Sequence, residues 1–289
     1  MSAEKTKKRS MAVEIWQRLT RNKMAMLGLA ILVILALGAI FADVIADYDT
    51  KVIAQNISER LQGPSAAHWF GTDEFGRDIF ARILHGSRVS QVVGLISVSV
   101  SLILGGSLGA FAGYYGGRVD MIIMRIMDIF LAVPSILLAI TIVAALGTNL
   151  VNVMLAIGIS GIPSFARIVR AAVLSVKDQE FVESARAIGT SNATIIFREI
   201  LPNCMAPIIV QATLSVASAI LSTASLSFIG LGVQPPAPEW GAMLSSGRNF
   251  LRDAMHLTLF PGLAIVVTIL ALNLLGDGLR DALDPRLKQ

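Results

Sequence analysis

The sequence FVESARAIGTSNATIIFREILPN, residues 181–203, is a charged, amphipathic segment between stretches that are long and apolar. Gly189 tolerates a positive φ, as the end of a helix needs, and Ser191 or Asn192 can cap a second helix, which Pro202 helps to end. The apolar positions are Phe181, Val182, Ala185 and Ile188 in the first helix and Ile195, Ile196, Phe197 and Ile200 in the second. Because these positions recur at helical spacing, the segment predicts a helix–glycine–helix hairpin with an apolar face that needs a partner.

The composition is that of a membrane protein. Of the 289 residues, 54% are hydrophobic and only 15% are charged, and the mean hydropathy is +0.69. Soluble domains carry about 25% charged residues, so we expect one all-α domain embedded in a bilayer, in contact with lipid and not with nucleic acid. The single cysteine, Cys204, excludes an intrachain disulfide. The three histidines lack metal-ligand spacing, so neither a metal site nor catalytic residues are expected.

Apolar runs predict six transmembrane helices, because each run is long enough to cross a hydrocarbon core of ~30 Å. They are Met24–Ala42, Val89–Gly113, a third from near Met121, a fourth ending near Ala166, Ala206–Leu231 and Leu257–Leu275. The predicted organisation is a cytoplasmic segment at 1–23, a transmembrane domain at 24–279 containing the hairpin loop at 167–204, and a cytoplasmic tail at 280–289.

The positions of lysine and arginine predict the orientation of these helices. Sixteen of these residues lie in the two terminal segments, the link at Arg118 and the loop at 167–204, whereas seven lie in the 43–88 and 232–256 loops. Cytoplasmic loops of membrane proteins carry the excess of basic residues. We therefore expect both termini and the hairpin in the cytoplasm, with Trp16 as an interfacial anchor.

Two charged residues, Arg125 and Asp128, fall inside the third predicted span. They are three residues apart and share a helix face. An intramembrane charge is a functional candidate, but both lie near the start of the span, where long side chains reach the interface, so a structural pair is favoured. Asp128 and Asp277 both lie near span ends, which argues against an ion-coupled secondary transporter.

The sequence contains no nucleotide-binding loop. The pattern GxxxxGK[ST] cradles nucleotide phosphates, and no lysine here follows a glycine. We expect the chain to obtain energy from another subunit if it uses ATP. A membrane-embedded enzyme is disfavoured, because no nucleophile and base are suitably spaced.

The hairpin sequence resembles the "EAA loop" of ABC-importer permeases, the segment that docks on the cytoplasmic ATPase. The family pattern is Glu-Ala-Ala, three residues, Gly, nine residues, Ile, any residue and Leu-Pro. The coupling residues implied here are Phe181, Glu183, Ser184, Ala185, Gly189, Leu201 and Pro202. Ser184 replaces the middle alanine, Glu199 stands where isoleucine is expected, and Ile200 comes one place late.

Three further passages resemble the dipeptide/oligopeptide permeases. GTDEFGRDIFARILHGSR (71–88) is similar to GTDxxGRDxxSRxxxGxR, with Ala81 in place of the serine; the others are SFIGLGVQPPAPEWGAML (227–244) and NLLGDGLRDALDPRLKQ (273–289). The resemblance implies the second permease subunit of a peptide importer, with a type I ABC-importer fold, in a bacterial inner membrane. It implies a heterodimer with a homologous permease, two ABC ATPases that hold ATP and Mg, and an extracytoplasmic peptide-binding protein. Relatives with these motifs also carry glutathione, nickel or other small solutes.

Three other stretches have two interpretations each. Glu239 and Trp240 follow a proline-stiffened segment and predict a docking surface for the binding protein, unless Trp240 is only an interfacial anchor. Asp73 and Arg77 belong to a loop that is tied down by its charges or, less favoured, contacts substrate. The fifth span carries a hydroxyl stripe that lines the solute path or packs against a neighbouring helix. Its members are Ser215, Ser218, Ser222 and Ser225.

Overall fold

The computed structural model describes residues 11–283, which are helical apart from connecting segments and one isolated bridge between Thr72 and Asp78. Residues 1–10 of the predicted cytoplasmic segment and residues 284–289 of the predicted tail lie outside the described residues. The described α-helices are α1 Met11–Leu19, α2 Lys23–Ile40, α3 Ala42–Ile45, α4 Ile79–Tyr115, α5 Gly117–Leu131, α6 Ser135–Leu146, α7 Leu150–Val176, α8 Glu180–Ala187, α9 Asn192–Thr194, α10 Leu201–Asn203, α11 Met205–Phe228, α12 Trp240–Gly247 and α13 His256–Leu283. Two π-helical turns, Tyr48–Ile53 and Ile195–Ile200, and two 3-10 turns, Ile57–Glu59 and Arg248–Phe250, accompany them.

Five described helices, α2, α4, α7, α11 and α13, are long and apolar enough to cross a membrane. The pair α5–α6 also qualifies, but its two helices are bent by 84° at their junction. Pro134 lies there; it lacks an N–H and disfavours a helical residue before it. The five helices coincide with five of the predicted spans, and the bent pair takes the place of the third. The third predicted span, from near Met121, is thus a pair of helices with a sharp bend between them.

Two spans are longer than predicted. Helix α4 begins ten residues before Val89, because the Asp78 carboxylate accepts a hydrogen bond from the Ala81 amide at 2.8 Å and caps the helix. Arg82 in its first turn is buried and donates to the Val52 carbonyl at 2.8 Å, so its charge lies within protein. Helix α7 continues ten residues beyond Ala166. The predicted 167–204 loop is therefore partly helix.

Helices α4 and α7 pack closely along much of their length. A Cβ atom at Gly105 would collide with the Ile162 carbonyl oxygen, and one at Gly109 with the Ala166 carbonyl oxygen. Small residues allow helix backbones to approach in this way. The glycines of the second predicted span thus allow it to pack closely against the fourth.

Separate apolar clusters lie at the two ends of α4. Near its last turn, Tyr114 is buried with Val173 of α7 and residues of the 181–203 hairpin. Near its first turn, Ile79 is buried with Trp240 of α12 and Leu257 of α13. At ~1.5 Å per residue α4 is ~55 Å long, so the hairpin lies at the opposite end of the bundle from α12.

The loop before α4 is held by its own charges. The Asp73 carboxylate accepts hydrogen bonds from the Arg77 Nε at 2.6 Å and from the backbone amides of Phe75 and Arg77 at 2.9 and 3.0 Å. Gly71 and Gly76 adopt φ values of +82° and +76°, which glycine accepts without steric cost. This geometry supports the favoured interpretation of a tied-down loop.

Candidate functional site: an end-of-bundle hairpin and a serine-lined cavity

The hairpin turns at Gly189, as the sequence predicts. Gly189 has a φ of +79°; its amide donates to the Arg186 carbonyl at 3.0 Å, and the Thr190 amide donates to the Ala185 carbonyl at 3.1 Å. These two bonds form a Schellman motif, which satisfies the last carbonyls of a helix. Ser191 caps the second helix, since its hydroxyl accepts from the Thr194 amide at 3.3 Å.

The second helix of the hairpin contains the π-helical turn Ile195–Ile200, where the Leu201 amide donates to the Ile196 carbonyl. A π turn pairs residues five apart, so Ile195 and Ile200 fall on one face, and both are fully buried. Pro202 follows and has no N–H to continue α-helical pairing. The extra residue in the turn thus compensates for Ile200 lying one place late and leaves Glu199 outside the core.

Much of the apolar face of the hairpin is covered by its own chain. Val182, Ile195, Ile196 and Ile200 are buried in the cluster formed with Val169, Val173 and Val176 of α7 and Ala110 of α4. Each such side chain contributes about 1.5–3 kcal/mol when buried, so packing fixes the hairpin on the bundle. The apolar face that was predicted to need a partner is therefore largely covered by helices of the same chain.

Two large apolar side chains of the hairpin do remain free. Ile188 is 82% exposed and Phe197 is 52% exposed. The predicted coupling residues do not form one cluster: Phe181, Ala185 and Leu201 are half-buried beneath the hairpin, whereas Glu183, Ser184, Gly189 and Pro202 are exposed. The Ser184 hydroxyl donates to the Glu180 carbonyl at 2.8 Å, within its own helix.

Tyr114, at the end of α4, contacts the hairpin through polar groups that sequence analysis missed. Its hydroxyl donates to the Asn192 Oδ1 at 2.8 Å, and the Arg186 guanidinium lies 5.1 Å from the centre of its ring, within the range of a cation–π interaction. The doublet of Tyr114 and Tyr115 at the end of an apolar run is the only sequence signal for this contact.

Two ion pairs join α5 to α7 at the same end of the bundle. Arg167 Nη2 lies 2.6 Å from Asp128 Oδ1, and Arg170 contacts both carboxylate oxygens of Asp120 at 2.5 Å. The predicted pair between Arg125 and Asp128 is wrong, because Asp128 faces α7 instead.

The predicted serine stripe partly lines a cavity of about 200 Å³ in the middle of the bundle. Ser215, Ser218 and Ser222 line it. Ser225 does not; it is exposed, and its hydroxyl donates to the Leu221 carbonyl at 2.8 Å. Three of the four predicted serines therefore share the cavity, and the fourth lies outside it.

Five further serines line the same cavity and were not singled out from the sequence. They are Ser97 and Ser101 of α4, Ser135 of α6, and Ser160 and Ser164 of α7. Gln211 also lines it, and its amide nitrogen donates to the Ser215 hydroxyl at 3.1 Å. Among the described residues, only uncharged side chains line the cavity. It offers weak hydrogen-bonding groups and no counter-charge to a solute.

Glu239 and Trp240 lie at the other end of the bundle and are fully buried. The Glu239 carboxylate caps α12 by accepting from the Gly241 and Ala242 amides, both at 2.9 Å. The Trp240 Nε1 donates to the Ile83 carbonyl at 3.0 Å. The expectation that this pair is an exposed docking surface is wrong, because both side chains stabilise the interior. Burial in protein also excludes Trp240 as an interfacial anchor.

A family model described as "Binding-protein-dependent transport system inner membrane component" matches residues 105–289. This range includes the hairpin, its contacts on α7 and most of the cavity. The chain belongs to this family. A second model, "N-terminal TM domain of oligopeptide transport permease C", matches residues 10–64 of the permease.

Curated relatives of the permease are similar over nearly its whole length. It is 53% identical to the dipeptide transport system permease protein DppC of Alkalihalophilus pseudofirmus, over 95% of this chain and 90% of that protein. It is 49% identical to the glutathione transport system permease protein GsiD of Pectobacterium atrosepticum, over 95% and 91%. It is 47% identical to the di/tripeptide transport system permease protein DppC of Pseudomonas aeruginosa, over 95% and 92%.

The fold of the permease is also found in a solved transporter. An inward-facing structure of the MetNI methionine ABC transporter aligns with a TM-score of 0.57 and 17% sequence identity, covering 70% of this chain and 96% of that chain. The all-helical, type I ABC-importer fold expected from the sequence is thereby confirmed. The protein is a multi-pass permease subunit of a bacterial ABC importer, and this family implies a partner permease and an ATPase.

Proposed function

We propose that this permease imports dipeptides or short oligopeptides as one half of a heterodimer with a homologous permease. The observation that carries the proposal is its 53% identity, over 95% of the chain, to a dipeptide permease. Two ABC ATPase subunits bind ATP and Mg, and an extracytoplasmic peptide-binding protein delivers the solute. The chain itself is non-catalytic and binds no cofactor.

The serine-lined cavity forms part of the solute path. Peptide backbones carry one donor and one acceptor per residue, and hydroxyls can satisfy either. Ser215, Ser218 and Ser222 lie on α11, which follows the hairpin directly. A lining without charge binds the solute weakly, as suits a conduit that receives its cargo from a binding protein.

The hairpin transmits the ATPase cycle to the helices. Ile188 and Phe197 are the exposed apolar side chains that can enter a groove on an ATPase. Because the rest of the hairpin packs on α4 and α7, closure of the ATPase dimer moves it as a rigid lever and opens the cavity outward. Hydrolysis resets the helices. Such coupling requires two states with different contacts.

The permease lies in a bacterial inner membrane, with both termini in the cytoplasm and the hairpin in the same compartment. The excess of basic residues in the terminal segments and the hairpin loop supports this orientation. We retain the boundaries 1–23, 24–279 and 280–289 for its cytoplasmic, transmembrane and tail segments. The binding protein then docks at the α12 end, where exposed Trp69 is an aromatic anchor in place of Trp240.

Glutathione is a second candidate solute. The 49% identity to a glutathione permease favours it, and glutathione shares amide groups with short peptides. The uncharged cavity does not separate the two solutes, since it lacks a counter-charge for either.

Transport by the intact complex tests the proposal. The complex is purified through a tag on this chain, its subunits are identified by mass spectrometry, and it is reconstituted in vesicles with its binding protein outside and ATP inside. We expect two ATPases and one homologous permease to co-purify, and labelled dipeptide uptake that needs ATP. Unlabelled peptides of different side chains should compete, and glutathione should not.

Two other outcomes would contradict parts of this proposal. Competition by glutathione alone would select the second candidate. Uptake without an ATPase would contradict the ABC mechanism for this assembly. A non-hydrolysable ATP analogue inside the vesicles is the control for ATP dependence.

A further inference from the structure

Helix α5 crosses the bundle instead of running along it. Its acids Asp120 and Asp128 are eight residues apart, or ~12 Å along the helix, whereas their partners Arg170 and Arg167 are three residues apart, or ~4.5 Å along α7. Matching a long step on one helix to a short step on the other indicates a steep crossing. The 84° bend between α5 and α6 agrees with this.

The depth of α5 follows from the same pairs. Helix α7 ends at Val176, six residues beyond Arg170 and nine beyond Arg167, which is ~9 and ~14 Å along its axis. A bilayer has a hydrocarbon core of ~30 Å within a total thickness of ~40–45 Å. With the end of α7 placed at the membrane surface, α5 lies across the hairpin end of the bundle, near the boundary between headgroups and hydrocarbon.

The ion pairs leave α5 with a positive outer face. Both acids are neutralised by α7, but Arg118 and Arg125 are exposed and have no ion-pair or hydrogen-bond partner within residues 11–283. These arginines are seven residues apart, or two turns, and so lie on one face. Ile122 and Ile129 alternate with them and are 60% and 64% exposed. The face is thus two cations and two branched apolar side chains.

We propose that this face binds the headgroups of anionic phospholipids. Isoleucine side chains enter the acyl region from an in-plane helix, while arginines reach outward to the phosphates. Guanidinium groups bind phosphate with two parallel hydrogen bonds. The two positive charges of this face favour anionic lipids over zwitterionic lipids. Its two isoleucine side chains favour a membrane lipid over a soluble anion. The inference is independent of which solute the permease carries.

A photocrosslinking amino acid at Ile122 tests the proposal in the intact complex. The complex is placed in vesicles of equal phosphatidylglycerol and phosphatidylethanolamine, irradiated, and its adducts are identified by mass spectrometry. We expect lipid adducts enriched in phosphatidylglycerol. Removing the charges with R118Q and R125Q should reduce this enrichment by on the order of fivefold for each arginine.

Controls separate recognition from mere proximity. The pair R60Q and R252Q removes two exposed arginines without partners, at the other end of the bundle, and should leave the enrichment unchanged. A crosslinker at Ile129 repeats the test if the Ile122 variant fails to assemble. Adducts to a protein subunit would show that the face is covered by a partner and overturn the proposal. Lipid adducts without enrichment, or enrichment that survives R118Q and R125Q, would also overturn it.

Discussion

The Tyr114 hydroxyl donates a hydrogen bond to the Asn192 side chain at 2.8 Å, joining residues 78 apart in the chain. The contact connects the last turn of α4 to the first turn of the second hairpin helix. Helix α4 also contributes Ser97 and Ser101 to the cavity. A displacement of the hairpin therefore has a direct polar route to a helix that lines the cavity.

Replacing Tyr114 by Phe removes this hydrogen bond but keeps the ring beneath Arg186. We expect substrate-stimulated ATP hydrolysis to fall two- to tenfold, because one intramolecular hydrogen bond contributes about 0.5–1.5 kcal/mol. The amount of assembled complex should not change, since buried apolar side chains hold the hairpin. Tyr115→Phe is the matched control, because Tyr115 is exposed and has no hydrogen bond through its hydroxyl within the described residues. Equal effects of the two substitutions would contradict a coupling role.

Replacing Gly189 by Val should uncouple hydrolysis from transport. The space around Gly189 is open, so the cost comes from the backbone φ of +79° and is about 1–3 kcal/mol for a β-branched residue. We expect reduced substrate-stimulated ATP hydrolysis at an unchanged membrane level. Gly189→Asn is the control, because asparagine adopts positive φ more readily. A valine variant that transports normally would disprove the lever.

The native thiol should be a poor probe of topology. Cys204 is buried, and burial raises the pKa of its thiol to about 11. At pH 7.5 about 0.03% would be thiolate, against about 10% for an ordinary cysteine, and the reactive fraction rises only as pH increases. We expect Cys204 to react with maleimide more than a hundredfold more slowly than an Ile188→Cys thiol in a Cys204→Ser chain. Equal rates would mean that the hairpin core opens.

The Ile188→Cys thiol is then the probe for orientation. Ile188 lies at the exposed tip of the hairpin, which we propose to be cytoplasmic. An impermeant maleimide should label it in broken cells and inverted vesicles but not in intact cells. Labelling from outside would place the hairpin on the other side of the membrane.

Cysteines on α11 distinguish a solute path from a packing seam. In the Cys204→Ser chain, thiols at Ser218 and Ser222 lie in the cavity and Ser225 lies outside it. We expect a small polar maleimide to label the first two at rates that change at least threefold when ATP is trapped. The thiol at Ser225 should react at one rate in both states. Cavity thiols that are silent in both states would indicate packing alone.

Replacing Glu239 by Ala should lower the thermal stability of the complex. A substitution that affected only a docking surface for the binding protein would leave this stability unchanged. The carboxylate caps α12 with two hydrogen bonds, and loss of such a cap costs about 0.5–2 kcal/mol. We expect a lower midpoint for thermal unfolding of the complex, with partial recovery in Glu239→Gln, which keeps one acceptor. Glu14→Ala removes an exposed carboxylate from the first turn of α1 and should lower the midpoint less, because an exposed charge near a helix N-terminus contributes about 0.3–1 kcal/mol. An unchanged midpoint with weaker docking would restore the original surface interpretation.

Local features of the hairpin were predictable from the sequence. The turn at Gly189 and the cap at Ser191 depend on residues within one or two helical turns, so their signals are contiguous. The π turn at Ile195–Ile200 was not predicted, although the sequence shows that Ile200 lies one position later than in the family pattern. Whether α-helical or π-helical hydrogen bonds form there depends on the apolar core in which Ile200 is buried.

Other predictions were wrong because they depended on which side chains are exposed and which charged residues meet across the bundle. Trp240 follows prolines in a connecting segment, as a surface anchor would, yet it packs between α4 and α13. Asp128 has an arginine three residues away in sequence and pairs instead with Arg167, 39 residues away. Neither the burial of Trp240 nor the partner of Asp128 can be recognised from the spacing of residues in the sequence.

The sequence by itself determined the membrane class, the positions of the long apolar helices and the turn of the hairpin, because hydropathy, capping and glycine φ preferences act over neighbouring residues. Only the tertiary structure decided which side of the hairpin is covered and which serines share a cavity. It also decided which arginines of α5 and α7 have partners. These properties depend on the packing of helices that are distant in sequence, where side-chain burial and charge pairing are fixed by the whole bundle.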